Sequence, residues 1–238
     1  MFYAICNWGN ENVTQWAPAM AQSWRTTVDV SYGEQTNSFY QIQANFINNQ
    51  KVRASAGPGG WNDPDMLLMG YAADMTEEQM KTQFALWAFA KAPLILSADI
   101  AKLGNVTDTG SIASMLNNPA LIAVNQDSLG NQCEEIDAPD STGTGDSLGY
   151  YKALIEDKTT QELYTALLIV NWYDDNLQAN TVLNLSEHGI ALSQYDNCEI
   201  TDLWSGAKTQ GMGGDTEFQT TGLAKHSHMA YKIKCSAF

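Results

Sequence analysis

Gly57-Pro58-Gly59-Gly60-Trp61-Asn62-Asp63-Pro64-Asp65-Met66-Leu67 puts three glycines, two prolines, two acids and a tryptophan into eleven residues. Such a run is too irregular for a helix or a plain strand. Glycine and proline fix a turn of unusual shape instead. Before it, Lys51 to Ala56 is short and mildly apolar and reads as a buried strand. After it comes a helix with clear start and stop signals. A strand, then a rigid loop bearing carboxylates and an aromatic, then a helix is how a (β/α) barrel presents active-site groups. A tight structural turn is the competing reading of any Gly/Pro/Asp cluster, and the segments around the loop are what weigh against it.

Upstream, residues 2–8 read as a strand, and residues 13–21 have helical character, with Trp16 and Met20 four apart. Residues 24–30 (Trp24-Arg25-Thr26-Thr27-Val28-Asp29-Val30) are predicted to form the next strand. Period-two alternation puts Arg25, Thr27 and Asp29 on one face. An Arg and an Asp inside a strand are costly to bury unless paired or used; on an exposed edge they would be a surface ion pair of small energetic value. Residues 37–48 suit a helix with Phe39, Ile42 and Phe46 on one side. Downstream of the loop, Thr76-Glu77-Glu78-Gln79 is a capping-box pattern. Met80, Phe84, Trp87 and Lys91 follow at helical spacing, and Pro93 stops the helix. Those aromatics read as core. Residues 94–97 form the next predicted strand, and residues 111–116 and 119–125 two short helices. Strand and helix thus alternate through residues 1–130, with parallel strands expected near 2–7, 24–30, 51–56 and 94–97. Four such units are half of an eight-stranded barrel.

The pattern then changes, and residues 131–238 are expected to be a separate antiparallel β-sandwich. Residues 133–149 are acidic and rich in Gly, Ser, Thr and Asp, as in a loop or hairpin. Strands are predicted at 150–155, 162–172, 181–185, 199–204 and 223–235. In the last, Met229, Tyr231, Ile233 and Cys235 face one way and His228, Lys232 and Lys234 the other.

The 238 residues carry 12 basic and 27 acidic side chains, a net charge of −15, which argues against nucleic acid or an anionic membrane as partner. No apolar run is long enough for a membrane-spanning helix. Met1 to Trp8 lacks the basic region and the length of a signal peptide. The four cysteines, Cys6, Cys133, Cys198 and Cys235, are widely spaced with no CxxC pair, which disfavours a zinc ribbon. Together with three glycosylation sequons, at Asn12, Asn105 and Asn184, they favour a secreted glycoprotein as parent. Asp63-Pro64-Asp65 alone is too little for calcium, because no further oxygen ligands follow at loop spacing.

Five segments in this order carry a family resemblance: Cys6-Asn7-Trp8-Gly9, residues 23–30, residues 57–66, Leu86-Trp87-Ala88-Phe89-Ala90-Lys91-Ala92-Pro93-Leu94 and Asn125-Gln126-Asp127-Ser128-Leu129-Gly130. They closely resemble the α-galactosidases (melibiases) of glycoside hydrolase family 27, with Cys6-Asn7 most like the fungal and yeast-type enzymes. The resemblance implies a TIM barrel, represented here by strands five to eight, followed by that family's C-terminal sandwich. It implies a retaining glycosidase, which works with two carboxyl groups about 5–5.5 Å apart, one nucleophile and one acid/base. Asp29 matches the family's acid/base. Arg25 and Asp65 match residues that hold the sugar, and Asn7 and Trp8 lie where the family contacts the 2-position side; Trp61 is a further substrate-binding candidate. No cofactor and no metal are implied.

The family's nucleophile motif, a Lys-Tyr/Phe-Asp on the fourth barrel strand, has no match here, and the cysteine that pairs with the position of Cys6 is also missing. The chain is therefore expected to be a fragment that is inactive alone, with self-association or pairing with an N-terminal barrel half as its protein contacts and α-galactosides as its ligands. Cys6 is expected to be a free thiol, and Cys198–Cys235 is one possible pairing among the other three cysteines. The alternative function is a non-catalytic remnant serving as a carbohydrate-binding or assembly module. An α-N-acetylgalactosaminidase would need a small residue near Asn7 to admit the N-acetyl group.

Overall fold

The glycine-rich loop leads into a strand of its own. In a computed structural model that describes residues 1–31, 39–72, 74–136, 148–177 and 180–236, the segment expected as the strand 51–56 is instead the end of a helix and a 3-10 turn. Helix α2 spans Phe39–Lys51, and Arg53–Ser55 make the turn. The strand lies inside the motif, at Trp61–Asp63 (β3). Gly57 and Gly60 close the approach by exchanging backbone bonds of 2.9 and 3.0 Å. Between them Gly59 sits at φ 105°, a conformation open to glycine and costly for other residues. Gly60 has a different constraint: a Cβ there would stand 2.7 Å from Cη2 of Trp24, so the bare backbone is what lets β3 approach its neighbour.

That neighbour is β2, Ser23–Arg25, which pairs in parallel with β3 on one side and with β1, Ala4–Ile5, on the other. All three strands are shorter than expected. Beyond Arg25 neither partner offers a ladder: Trp8 takes a positive φ on one side, and Pro64, with no N–H, follows on the other. Residues 94–97 form a single parallel bridge, Leu67 to Leu96, rather than a strand. The 13–21 segment is one α-helical turn, Val13–Trp16 (α1), followed by a 3-10 turn at Ala17–Ala19 that contains Pro18. Helix α3, Glu77–Phe89, has its capping box in place: Thr76 Oγ1 accepts from the Gln79 N–H at 3.2 Å, and Gln79 Oε1 from the Thr76 N–H at 3.0 Å. It is buried continuously from Thr82 to Phe89. Phe39, Ile42 and Phe46 are buried on α2, as their spacing predicts. Helices α4 (Ile112–Leu116) and α5 (Pro119–Asn125) close this part of the chain.

Two compact units divide the chain, Met1–Cys133 and Glu134–Phe238. The second contains a six-stranded antiparallel sheet in the order β4-β5-β6-β11-β8-β9 and a two-stranded one, β10-β7. The strands are Glu134–Glu135, Leu148–Glu156, Leu163–Asn171, Thr181–Asn184, Asn197–Asp202, Lys208–Met212, Asp215–Phe218 and His228–Ser236 for β4 to β11. Leu167, Ile169, Ile200 and Ile233 from the larger sheet meet Leu183 and Phe218 from the smaller in one core. The alternation read for β11 holds: Met229, Tyr231, Ile233 and Cys235 all pack against that core. Strands β9 and β10, which join different sheets, escaped the sequence reading because β9 is mostly exposed with no apolar period and β10 is only four residues long. Most of the expected 133–149 loop lies outside the described residues. Cys198 and Cys235 lie directly opposite each other on β8 and β11 and form a disulfide, while Cys6 and Cys133 are free. No helix among the described residues is long and apolar enough to cross a membrane.

Candidate active site

Three parallel strands end at nearly one level, and the residues just beyond those ends converge on Arg25. Its guanidinium is buried, and one nitrogen, Nη2, donates to Asp29 Oδ1 at 3.1 Å, lies 3.0 Å from Asp65 Oδ2, and reaches the Thr27 carbonyl at 3.2 Å. The other terminal nitrogen contacts Cys6 Sγ at 4.0 Å, and Nε is buried without a partner among the described residues. One cation therefore organises two carboxylates, and both are held by charge-assisted contacts.

The meeting of Arg25 with Asp29 was expected, but through strand alternation. The chain has left the sheet by Thr26, whose N–H bonds the Asp63 carbonyl at 3.0 Å, and Asp29 returns to Arg25 from a bend. Thr27 does not join the group through its side chain: its hydroxyl is buried and has no partner among the described residues. Asp29 receives a second bond, from the Trp8 indole N–H at 3.0 Å. Its side chain is 37% exposed, whereas that of Asp65 is only 8% exposed.

Asp65 is fixed from every side. Its Oδ2 accepts the Val30 N–H at 2.7 Å, its own N–H donates to Asp63 Oδ1 at 2.8 Å, and its carbonyl accepts the Trp87 indole N–H at 2.6 Å. These anchors hold it at φ 90°, a strained conformation for a residue with a Cβ. Asp63 and Trp87 are thus parts of the site that the sequence reading left out. Trp87 sits on a helix whose spacing reads simply as core. The Asp63-Pro64-Asp65 spacing was the available signal, since an aspartate side chain commonly binds the backbone N–H two residues on. Burial raises the Asp63 pKa above 3.8, with the Asp65 N–H and Arg25 opposing that rise and the Asp65 charge adding to it.

Asn7 neighbours Trp8 but bonds locally, Nδ2 to the Asn10 carbonyl at 2.9 Å, and its Oδ1 is buried with no partner among the described residues. Trp61 packs elsewhere: its Cη2 is 2.8 Å from where a Cβ on Gly130 would stand, beside Pro58. Below the site, Trp24 Nε1 donates to the buried Asn62 Oδ1 at 2.7 Å and ties β2 to β3. No group of three or more His, Cys, Asp or Glu suited to a metal occurs among the described residues. A buried cation carrying one half-exposed and one enclosed carboxylate, with an indole at the rim, is an arrangement able to hold hydroxyls and exchange a proton.

Comparison with known proteins supplies a framework for this geometry. Residues 3–127 match the family model described as alpha galactosidase A. The chain is 32% identical over 215 residues to an alpha-galactosidase of Cyamopsis tetragonoloba, covering 90% of this chain and 46% of that protein. It is 40% identical over 136 residues to one from Oryza sativa subsp. japonica, covering 57% of this chain and 30% of the relative. The chain thus spans less than half the length of these relatives. Among solved structures, alpha-galactosidase I from Mortierella vinacea superposes with a TM-score of 0.76 at 23% identity, over 100% of this chain and 59% of that one. The Saccharomyces cerevisiae enzyme solved with raffinose gives 0.71 at 19% identity, over 99% of this chain and 64% of its own.

Proposed function

This chain belongs to the alpha-galactosidase A (melibiase) family, and from that footing we propose that it carries the acid/base and galactose-holding side of a retaining α-galactosidase. Its first unit is read as strands five to eight of a (β/α)8 barrel, followed in sequence by an antiparallel β-sandwich. The substrates are terminal α-linked galactose residues of galacto-oligosaccharides and galactomannans; raffinose, the ligand of the yeast structure, is of that kind.

The observation that carries the reading is the single Arg25 nitrogen lying 3.1 Å from Asp29 and 3.0 Å from Asp65. Their unequal exposure supports unequal roles. Asp29, open to solvent, is the proton donor to the leaving group and afterwards the base that activates water. Asp65, clamped through Oδ2, keeps Oδ1 to accept sugar hydroxyls. The exposed Trp8 indole offers an apolar face to the sugar ring; Asn7, whose Oδ1 is buried, and Trp61, which packs beside Pro58 and Gly130, rest as sugar contacts on the family resemblance alone. No carboxylate in these residues carries the nucleophile's motif, so that role falls to polypeptide outside them, as does the partner strand for β1. The disulfide and the exposed sequon residues Asn12 and Asn105 favour a secreted parent.

The test uses the remaining barrel supplied in trans or a full-length parent. The chain alone should hydrolyse p-nitrophenyl α-galactoside only at background. In the completed enzyme, Asp29→Asn should lose about 10²–10⁴-fold on melibiose and much less on a dinitrophenyl galactoside, whose leaving group needs no proton. Azide should restore turnover by replacing the water that Asp29 activates. Equal loss on both substrates without azide rescue would overturn the assignment.

A further inference from the structure

A cleft of about 410 Å³ opens in the second unit between β8–β9 of the six-stranded sheet and β10 of the two-stranded one. Such a volume lies within the ~300–1,000 Å³ of small-molecule sites. Ile200, Phe218 and Tyr231 form its apolar base, and Asp202, Gln210, Glu217 and Gln219 contribute its polar lining. We propose that this cleft binds a neutral saccharide, at a site distinct from the Arg25 cluster and independent of the reading given to that cluster.

Charge narrows the ligand. Among the described residues two carboxylates and no Lys, Arg or His line the cleft, so an anion would be repelled. The carboxylates are also engaged by uncharged donors. Asp202 Oδ1 accepts the Trp204 N–H at 3.0 Å and both the N–H and hydroxyl of Ser205 at 2.6 and 2.8 Å. Glu217 accepts the Asn180 amide. These bonds engage Oδ1 of Asp202 and Oε1 of Glu217, and the second oxygen of each carboxylate can accept a sugar hydroxyl.

The remaining surface is amphipathic in the way a pyranose is. The Tyr231 ring lies 5.2 Å from Phe218, centroid to centroid, and offers a flat apolar patch for C–H groups. Among the described residues the Tyr231 hydroxyl has the Met229 thioether as partner, at 3.5 Å, and burial followed by the Asp202 charge raises its pKa, keeping it a neutral donor and acceptor. The exposed Gln210 and Gln219 amides supply both a donor and an acceptor each.

The experiment is a ¹⁵N-resolved NMR titration of the whole chain with melibiose, galacturonic acid and glucosamine. Melibiose should saturably shift amides at 202–210 and 216–219, galacturonate should not, and glucosamine should bind no better than melibiose. Gln219→Ala, at an exposed position, and Tyr231→Phe, which keeps the ring, should each weaken melibiose about fivefold, the worth of one hydrogen bond. Asp65→Asn should leave these shifts unchanged, while Val30 and the Trp8 indole report the Arg25 cluster separately in the same spectra. Absence of saturable shifts in the second unit, tighter binding of glucosamine, or unchanged affinity in both variants would overturn the proposal.

Discussion

Asp63 holds its place by a bond and at an electrostatic cost. Its carboxylate accepts the N–H of the strained Asp65, yet burial lifts its pKa above 3.8. Between 3.8 and that raised value the folded state binds the proton that the unfolded state has released, so Asp63 makes stability fall as pH rises through the window. Asp63→Asn should flatten this part of the stability–pH curve; urea denaturation across acidic pH checks it, and a curve parallel to wild type would contradict the account. Asp63→Ala should in addition cost about 1 kcal/mol for the lost acceptor. Lys91 poses the opposite case. It is enclosed with Asp127 and also donates to the Val124 carbonyl. Burial lowers its pKa, with Asp127 opposing. Lys91→Met alone strands a buried carboxylate and should cost about 3–5 kcal/mol, whereas Lys91→Met with Asp127→Leu should cost far less. A double variant no more stable than the single would rule this out.

At the scale of elements, the cap of α3 and the glycines before β3 are separately testable. Thr76 satisfies an otherwise orphan N–H at the helix start, so Thr76→Ala should lower stability by about 1 kcal/mol. Gly57 and Gly60 bracket one turn but differ in their surroundings. A Cβ on Gly57 meets nothing within 4 Å, while one on Gly60 strikes the Trp24 ring. Gly57→Ala should be tolerated, and Gly60→Ala should cost about 1–3 kcal/mol by pushing β3 from β2. Equal melting temperatures for the two variants would show that close packing of β3 on Trp24 is not what requires glycine.

At the scale of the whole molecule, the two units should respond differently to reduction. The bridge between β8 and β11 closes a sequence separation of 37 residues in the second unit, and both cysteines of the first are free. Reduction should destabilise the second unit by about 2–4 kcal/mol and leave the first unchanged. Hydrogen exchange resolved by segment separates these outcomes, and equal loss of protection in both units would refute it. Among the described residues the sheet of the first unit ends at β1, with Phe2 and Tyr3 exposed beside it. Unpaired edges with apolar flanks associate, so sedimentation velocity should show concentration-dependent self-association. A monodisperse monomer at all concentrations would count against it.

The sequence by itself determined the change from strand–helix alternation to antiparallel strands after Gly130, the capped helix from Thr76, the buried face of α2 and the facing of β11. These are local: period, cap and proline chemistry act within a few residues of themselves. Arg25 and Asp29 also stood out, as opposite charges on one face of an expected interior strand, while the resemblance supplied Asp65 and the roles of all three. The resemblance gave the position of the free Cys6. Tertiary structure alone decided that the third strand is 61–63 rather than 51–56. A short, mildly apolar segment fits helix end and strand equally, and only pairing with β2 chooses between them. It likewise decided that Asp29 reaches Arg25 from a bend, that Trp61 packs by Gly130, and that Asp63 and Trp87 fasten Asp65. Each of those contacts depends on where the chain leaves the sheet or on partners brought together by folding, and no period in the sequence encodes either.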